Sequence, residues 1–271
     1  DFKAKIGNFN LGEIDLRISE GEILSLCGKS SSGKSVFISS LSGAIKNPSG
    51  DFFFKSSCIN NELKSYISSN ETIPSKDESL TVKEFFYLSR RKIKGKLSFF
   101  NEEDKSLISE LSSNFGLKKY INDKIQNIPH SAKNLLFTAA KISQSKKILL
   151  LDAPEALLDP LSLKILSREL IKYSKKSNII IMANNDPNFS ICTADSIAIM
   201  NEGKIIKQGD SSVFSNNSIK DFFETEGVIG TNIESGKKGK VYWALLPDGA
   251  SPPSIEQVAA GTDGSDNPAI T

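Results

Sequence analysis

The sequence is poor in the residues that build most catalytic and metal centres. It has one histidine, His130, and three cysteines in 271 residues. A lone histidine with no companions supplies neither a metal cluster nor a catalytic triad, and it reads as a surface or capping residue. Cys27, Cys58 and Cys192 lie far apart and are odd in number. That pattern excludes a disulfide framework and a paired-cysteine metal site, and it fits free thiols in a reducing compartment. No apolar run approaches the roughly 20 residues of a membrane span, and no signal peptide is visible. Net charge is also lacking: 34 basic against 32 acidic side chains leave +2. Such a balance gives no general case for nucleic acid or a membrane surface as partner, and no nucleic acid is expected. The chain opens at Asp1 without Met and so reads as trimmed or partial.

What is present is alternation. Ile23–Cys27, Ile148–Leu151 and Ile179–Met182 are short apolar runs of strand length. Between them lie stretches with helical period: Ser35–Leu41, Glu84–Leu88, Leu107 to Phe115, Leu135 to Ile142 and Leu161–Tyr173. Ile197–Met200 and Ile205-Ile206, around Asn201-Glu202-Gly203, read as a hairpin. Apolar strands separated by helices predict an α/β fold, a mainly parallel sheet covered on both faces. Phe52-Phe53-Phe54 suggests a buried strand of a small antiparallel piece. Composition changes once. Lys-, Ser-, Asn- and Ile-rich sequence gives way near residue 240 to Ala, Gly, Pro and Asp. We expect a principal domain over 1–230, a linker over 231–240 containing Ser235-Gly236-Lys237-Lys238-Gly239, and a tail or truncated β module over 241–271.

The chemistry concentrates after the first apolar run. Gly28-Lys29-Ser30-Ser31-Ser32-Gly33-Lys34-Ser35 matches G-x-x-x-x-G-K-[ST] at every fixed position, with a strand before and a helix after. Glycines let the backbone fold back so that its N–H groups point inward. The following helix N-terminus adds partial positive charge. Gly28 through Val36 are therefore expected to hold the phosphates of ATP. Lys34 should reach the β- and γ-phosphates, and the Ser35 hydroxyl should ligate Mg²⁺. A carboxylate at the end of a buried strand should complete the metal shell, and Ile148-Leu149-Leu150-Leu151-Asp152 supplies it.

The order of segments resembles the ATP-binding domain of ABC-type transporters, and the resemblance covers about residues 13 to 210. Ile18-Ser19-Glu20-Gly21-Glu22-Ile23 looks like the lead into the family's first P-loop strand. Leu41-Ser42-Gly43 with Asn47-Pro48-Ser49-Gly50-Asp51, Leu80-Thr81-Val82-Lys83-Glu84, Asp152-Ala153-Pro154 with Leu158-Asp159-Pro160, and Ala194-Asp195-Ser196-Ile197 with Glu202-Gly203-Lys204-Ile205 and Gly209 follow in family order. Each match is loose except the P-loop; the order and spacing carry the resemblance. It implies a P-loop NTPase sheet with a small antiparallel β piece and a helical insertion at about 82–145. It also implies two ATP held head to tail between paired domains, a second ATP-binding domain as partner, a transmembrane permease subunit, and a cytoplasmic position on the inner membrane face.

The sequence departs from that family at four positions. The Glu that polarises water is replaced by Ala153. The signature segment reads Ile128-Pro129-His130-Ser131-Ala132, without glycines. The switch His position is Asn185, followed by Asp186. The Gln position falls near Ser69, beside Asn70. Losing a general base lowers a rate roughly 10²- to 10⁴-fold, so ATP binding with slow own-site hydrolysis is expected. Asp159 still matches the family's dimer-contact loop. The alternatives are a nucleotide-gated interaction module without a membrane partner, and a small-molecule kinase, which the few arginines and the downstream order disfavour.

Smaller features stay open. Phe2 or Phe9 are the candidates for stacking on adenine, with Phe9 read rather as core and Lys5 at the expected distance. The short lead-in and the absent switch His look similar to the second half of tandem sugar-importer ATPases. Arg90-Arg91-Lys92-Ile93-Lys94-Gly95-Lys96 reads as a solvated helix end or a contact for phosphate or an acidic partner. Val241-Tyr242-Trp243-Ala244-Leu245-Leu246 weakly resembles the opening strand of an Ig-like surface module, though a disordered or loosely docked tail is the plainer reading.

Overall fold

The computed structural model describes residues 2–6, 9–45, 50–54, 57–60, 62–68, 79–94 and 100–215, without the side chains of 5, 6, 91–94 and 215. The expected linker at 231–240, the segment 241–271, Asn47-Pro48-Ser49, Ser69-Asn70 and Gly95-Lys96 lie outside the described residues.

The central sheet has five strands in the order β6 (Ile148–Asp152), β7 (Ile179–Ala183), β3 (Ile23–Cys27), β8 (Ser196–Asn201) and β9 (Lys204–Gly209). The first four run parallel, and β9 turns back against β8. The parallel strands are covered on both faces, so β3 and β7 are buried along their whole length. This is why they read as unbroken apolar runs. Alternate side chains feed opposite layers. Ile23, Leu149, Leu151, Ile180 and Met182 join the core under the helices. Leu24, Leu26, Leu150, Ile179 and Ile181 face the other side with α1 (Lys34–Leu41). Each large apolar side chain buried this way contributes about 1.5–3 kcal/mol.

The helices begin where their capping residues dictate. In α3 (Val82–Lys94), Thr81 and Glu84 satisfy each other's backbone N–H groups. Asn101 and Asp104 do the same for α4 (Glu102–Asn114). Asp159 caps α6 (Pro160–Ser174) and Asp186 caps α7 (Pro187–Thr193), each with Pro at the first helical position. Helix α5 (His130–Ser143) packs between α3, α4 and α6. A one-turn α2 (Leu63–Tyr66) precedes Ile67, which bridges in parallel to Ile148 at the sheet edge.

Three features differ from the sequence reading. An antiparallel hairpin of β1 (Phe2–Ile6) and β2 (Phe9–Ile14) leads the chain, where no strand was expected. Its alternating Phe2 and Ala4 are buried and Lys3 is exposed. The aromatic run also splits: only Phe53-Phe54 forms β4, paired with β5 (Ser57-Cys58), and Phe53 is 67% exposed. Arg90 is neither a solvated end nor a free phosphate contact. Its guanidinium donates twice to Asp104, at 2.6 and 3.0 Å, and to the Ser143 carbonyl at 2.6 Å.

Candidate functional site

The parallel register brings the C-terminal ends of β3, β6 and β7 together, and the loops leaving them form one crevice. At the end of β3 the chain turns through Gly28 (φ 157°), Ser31 (φ 63°) and Gly33 (φ 105°) into α1. Two of these positions require glycine. A Cβ on Gly28 would run into the Met200 carbonyl oxygen, and one on Gly33 would sit 2.9 Å from Phe9 Cζ. The Gly203 N–H donates to the Ser32 carbonyl at 2.8 Å, tying the loop to the β8–β9 turn.

Lys34 bends back over the loop. Its ammonium donates to the Gly28 carbonyl at 2.6 Å, the Lys29 carbonyl at 2.8 Å and Ser32 Oγ at 3.3 Å. Burial lowers its pKa below the ordinary lysine value, and the charge of Asp152 partly opposes this. Ser35 Oγ donates to Asp152 Oδ1 at 3.0 Å. This separation suits two neighbouring positions on an octahedral Mg²⁺. Ligands about 2.1 Å from the ion and 90° apart lie about 3.0 Å from each other. No group of three metal-binding side chains exists among the described residues. Mg²⁺ commonly takes one or two protein oxygens and leaves the rest to phosphates and water.

A cavity of about 340 Å³ opens above these groups. Ser30–Val36, Asp152, Phe9, Ala153, Ala183, Asn184 and Asn185 line it. Gly28 and Lys29 contribute their carbonyls to Lys34 and are not part of the lining. Phe9 is half-buried, packing on the core while edging the cavity. Phe2 is buried against Phe37 and Phe52, so it is core.

Beneath the loop lies a polar network that the sequence did not reveal. Ser25, Cys27, Asn184 and Ser190 are all at most 1% exposed. Ser190 Oγ lies 2.8 Å from both Ser25 Oγ and Cys27 Sγ and donates to Asn184 Oδ1, while Asn184 Nδ2 donates to Ser25 Oγ. Burial pushes the Cys27 thiol up to about 11, so this cysteine is an inert hydrogen-bonding group. Lys141 of α5 donates to the Leu150 carbonyl behind Asp152, and burial lowers its pKa to about 8.

Ala153 and Asn185 occupy the crevice where the family resemblance expects a Glu and a His. Ile128–Ala132 leads into α5, with Pro129 as a cap that offers no side-chain bond and His130 exposed. Asp159 accepts from the Ser162 N–H and hydroxyl, at 2.9 and 2.7 Å, between Leu157 and Leu161, which are 78% and 69% exposed. Glu155 was not singled out from the sequence. Its carboxylate accepts from the Asn185 N–H at 3.0 Å.

The fold and the loop define a P-loop α/β protein of the ATP-binding class. Residues 11–156, over half of the chain, match the ABC transporter family, and the chain belongs to that family. It is similar to the energy-coupling factor transporter ATP-binding protein EcfA of Methanocaldococcus jannaschii, at 25% identity over 79% of this chain and 78% of that protein. It is also similar to the spermidine/putrescine import ATP-binding protein PotA of Borrelia garinii, at 28% identity over 75% of this chain and 58% of that one. Among solved structures, an ATP-binding cassette of an ABC transporter, MJ1267, superposes with a TM-score of 0.72 at 18% identity. The match covers 82% of this chain and 96% of the other.

Proposed function

We propose that the chain is the ATP-binding subunit of an ABC-type transport system, with ATP·Mg²⁺ held in the crevice at the end of β3. The observation that carries this reading is the Ser35–Asp152 contact directly beside the buried Lys34 ammonium. When nucleotide enters, Lys34 exchanges two loop carbonyls for β- and γ-phosphate oxygens. The loop N–H groups and the α1 N-terminus face the same negative charge. Ser35 Oγ and Asp152 would hold Mg²⁺, which would offset charge on the phosphates. Phe9 is placed to bound the nucleotide, and the Asn185 amide faces the terminal phosphate.

The subunit pairs with a second ATP-binding domain, presenting Asp159 and the exposed Leu157 and Leu161. It docks on a transmembrane permease at the cytoplasmic face. No helix among the described residues is long and apolar enough to cross a membrane. Closure of the pair on ATP supplies the motion. Own-site hydrolysis is slow, because Ala153 has no proton-accepting group and Asn185 replaces an imidazole. Calorimetric titration of the purified chain with ATP, with and without Mg²⁺, tests the site. Binding that needs neither Mg²⁺ nor Asp152 would overturn it. Copurification with a polytopic membrane subunit tests the assignment to transport.

A further inference from the structure

The loop from Asp152 to Asp159 is held at four points. The Ala153 N–H donates to the Ala183 carbonyl at 2.8 Å, and the Asn185 N–H donates to Glu155 Oε1 at 3.0 Å. The Asn134 side-chain amide of α5 donates to the Ala156 carbonyl, and Asp159 caps α6. The first two tie the loop to residues that line the nucleotide cavity, and only the second does so through a side chain of the loop. Asn185 leaves the end of β7, lines that cavity and is exposed, and Asp186 then caps α7.

The Glu155 carboxyl is an expensive clasp. Its Oε2 is buried with no hydrogen-bond partner. Burial raises its pKa, and the Asp186 and Asp152 carboxylates facing it push the same way. On the P-loop side, Lys34 and Cys27 also lie within its field. A half-buried carboxylate with one oxygen lacking a partner costs stability whatever it holds. An apolar residue at this position would remove the burden and leave the fold's other three ties in place.

We propose that Glu155 is a positioning residue for the terminal phosphate: it fixes the Asn185 backbone so that the Asn185 side-chain amide faces the γ-phosphate. This gives the site discrimination between ATP and ADP without an imidazole at the switch position. The inference rests on the nucleotide reading of the crevice. It goes beyond it by assigning the ATP-over-ADP preference to a residue three positions past the strand carboxylate.

The test is calorimetric titration of the full chain with ATP·Mg²⁺ and with ADP·Mg²⁺, for wild type, Glu155→Ala, Glu155→Gln, Asn185→Ala and the double alanine variant. A hydrogen bond to a charged group, once lost, weakens the interaction it supports about tenfold or more. Glu155→Ala should therefore lower ATP affinity about tenfold while ADP affinity stays within about twofold. Glu155→Gln keeps an acceptor for the Asn185 N–H and should retain most of the ATP preference. Asn185→Ala should lose it as Glu155→Ala does, and the double variant should be no worse than either single one. Equal losses for ATP and ADP, an unchanged ratio, or additive losses in the double variant would each overturn the assignment. If Glu155→Ala fails to fold, the Gln and Asn185 variants still decide it. If wild type binds neither nucleotide, the reading of the crevice itself fails; if it binds both and the ratio never moves, only this inference does.

Discussion

Replacing Lys34 with alanine should separate nucleotide binding from folding. The ammonium is buried, and its lowered pKa means that the folded state holds the proton less tightly than the unfolded chain does. Desolvation therefore works against this charge in the empty protein. Its three hydrogen bonds, to the Gly28 and Lys29 carbonyls and Ser32 Oγ, partly offset that. Lys34 itself lines the open crevice, so water can enter the space it leaves and reach the carbonyls. Removing the side chain should change the stability of the nucleotide-free protein by no more than about 1 kcal/mol. Binding should respond very differently. Two charge-assisted bonds to phosphate at about 1.5 kcal/mol each make a loss of about 3 kcal/mol, more than a hundredfold in Kd. A ligand at 100 times its Kd stabilises by about 2.7 kcal/mol, which for a domain of this size raises the unfolding midpoint by roughly 5–11 °C. In the variant, at the same ATP·Mg²⁺ concentration, the gain should fall to about 0.3 kcal/mol and about 1 °C. Thermal unfolding with and without ATP·Mg²⁺ measures both quantities at once. A variant that keeps the full ATP shift would show that the loop does not grip phosphate through Lys34. One that unfolds well below wild type without nucleotide would show that the ammonium is a structural group.

Two further perturbations test the scaffold. Arg90→Met removes both guanidinium bonds to Asp104, whose side chain is fully buried; even with the Asn101 N–H still bound to it, a buried carboxylate that loses its cation should cost about 3 kcal/mol in denaturant unfolding. Lys141→Met should flatten a pH dependence. The Lys141 pKa falls to about 8 in the folded protein, so above pH 8 the unfolded chain binds more protons and stability rises with pH. Cys27, pushed up to about 11 from 9, begins to pull the other way above pH 9. The clean window is therefore pH 8–9, where wild type should gain up to about 1 kcal/mol and the variant should not. Lys34 contributes equally to both proteins, so their difference in denaturant midpoint is the quantity to measure.

The strands that build the crevice were readable because burial on both faces leaves no polar alternation to confuse with a helix. The P-loop was readable because each fixed position has its own mechanical reason: Gly28 to clear Met200, Gly33 to clear Phe9, Lys34 to bend back onto the loop and Ser35 to reach Asp152. Asp152 followed from its place at a strand end. What escaped depends on partners distant in sequence. Arg90 looked like part of a charged run because Asp104 joins it only when α3 and α4 pack. The Ser25–Cys27–Asn184–Ser190 network crosses from β3 to β7 and α7, and its members are ordinary small residues in the sequence. Glu155 is thirty residues from Asn185, and only the parallel pairing of β6 with β7 brings them together. The one local hint was a second carboxylate three places after Asp152. The leading hairpin hides because each strand is short and half-buried.

The proposed slowness of hydrolysis rests on a cause that a single substitution can probe. Ala153 lines the cavity with a left-handed backbone, φ 45°. A glutamate there would carry no more backbone strain than the alanine does, since both have a Cβ. If the missing base were the whole defect, Ala153→Glu would recover the roughly 10²- to 10⁴-fold that a base supplies. Two other deficits stand beside it: an amide at Asn185, and a segment at Ile128–Ala132 without the glycines that let backbone approach a phosphate. Groups that act as a unit are non-additive, so restoring one recovers little while the others are absent. We therefore expect wild-type turnover of about 0.1 s⁻¹ or less, and less than a tenfold rise in Ala153→Glu. Adding Asn185→His to that variant should raise turnover by more than the product of the two single effects. Steady-state phosphate release decides the matter. A return to about 1 s⁻¹ from Ala153→Glu alone would mean that Asn185 and the residues before α5 already serve hydrolysis. The crevice would then be a competent site short of one carboxylate, not a site built to hold ATP.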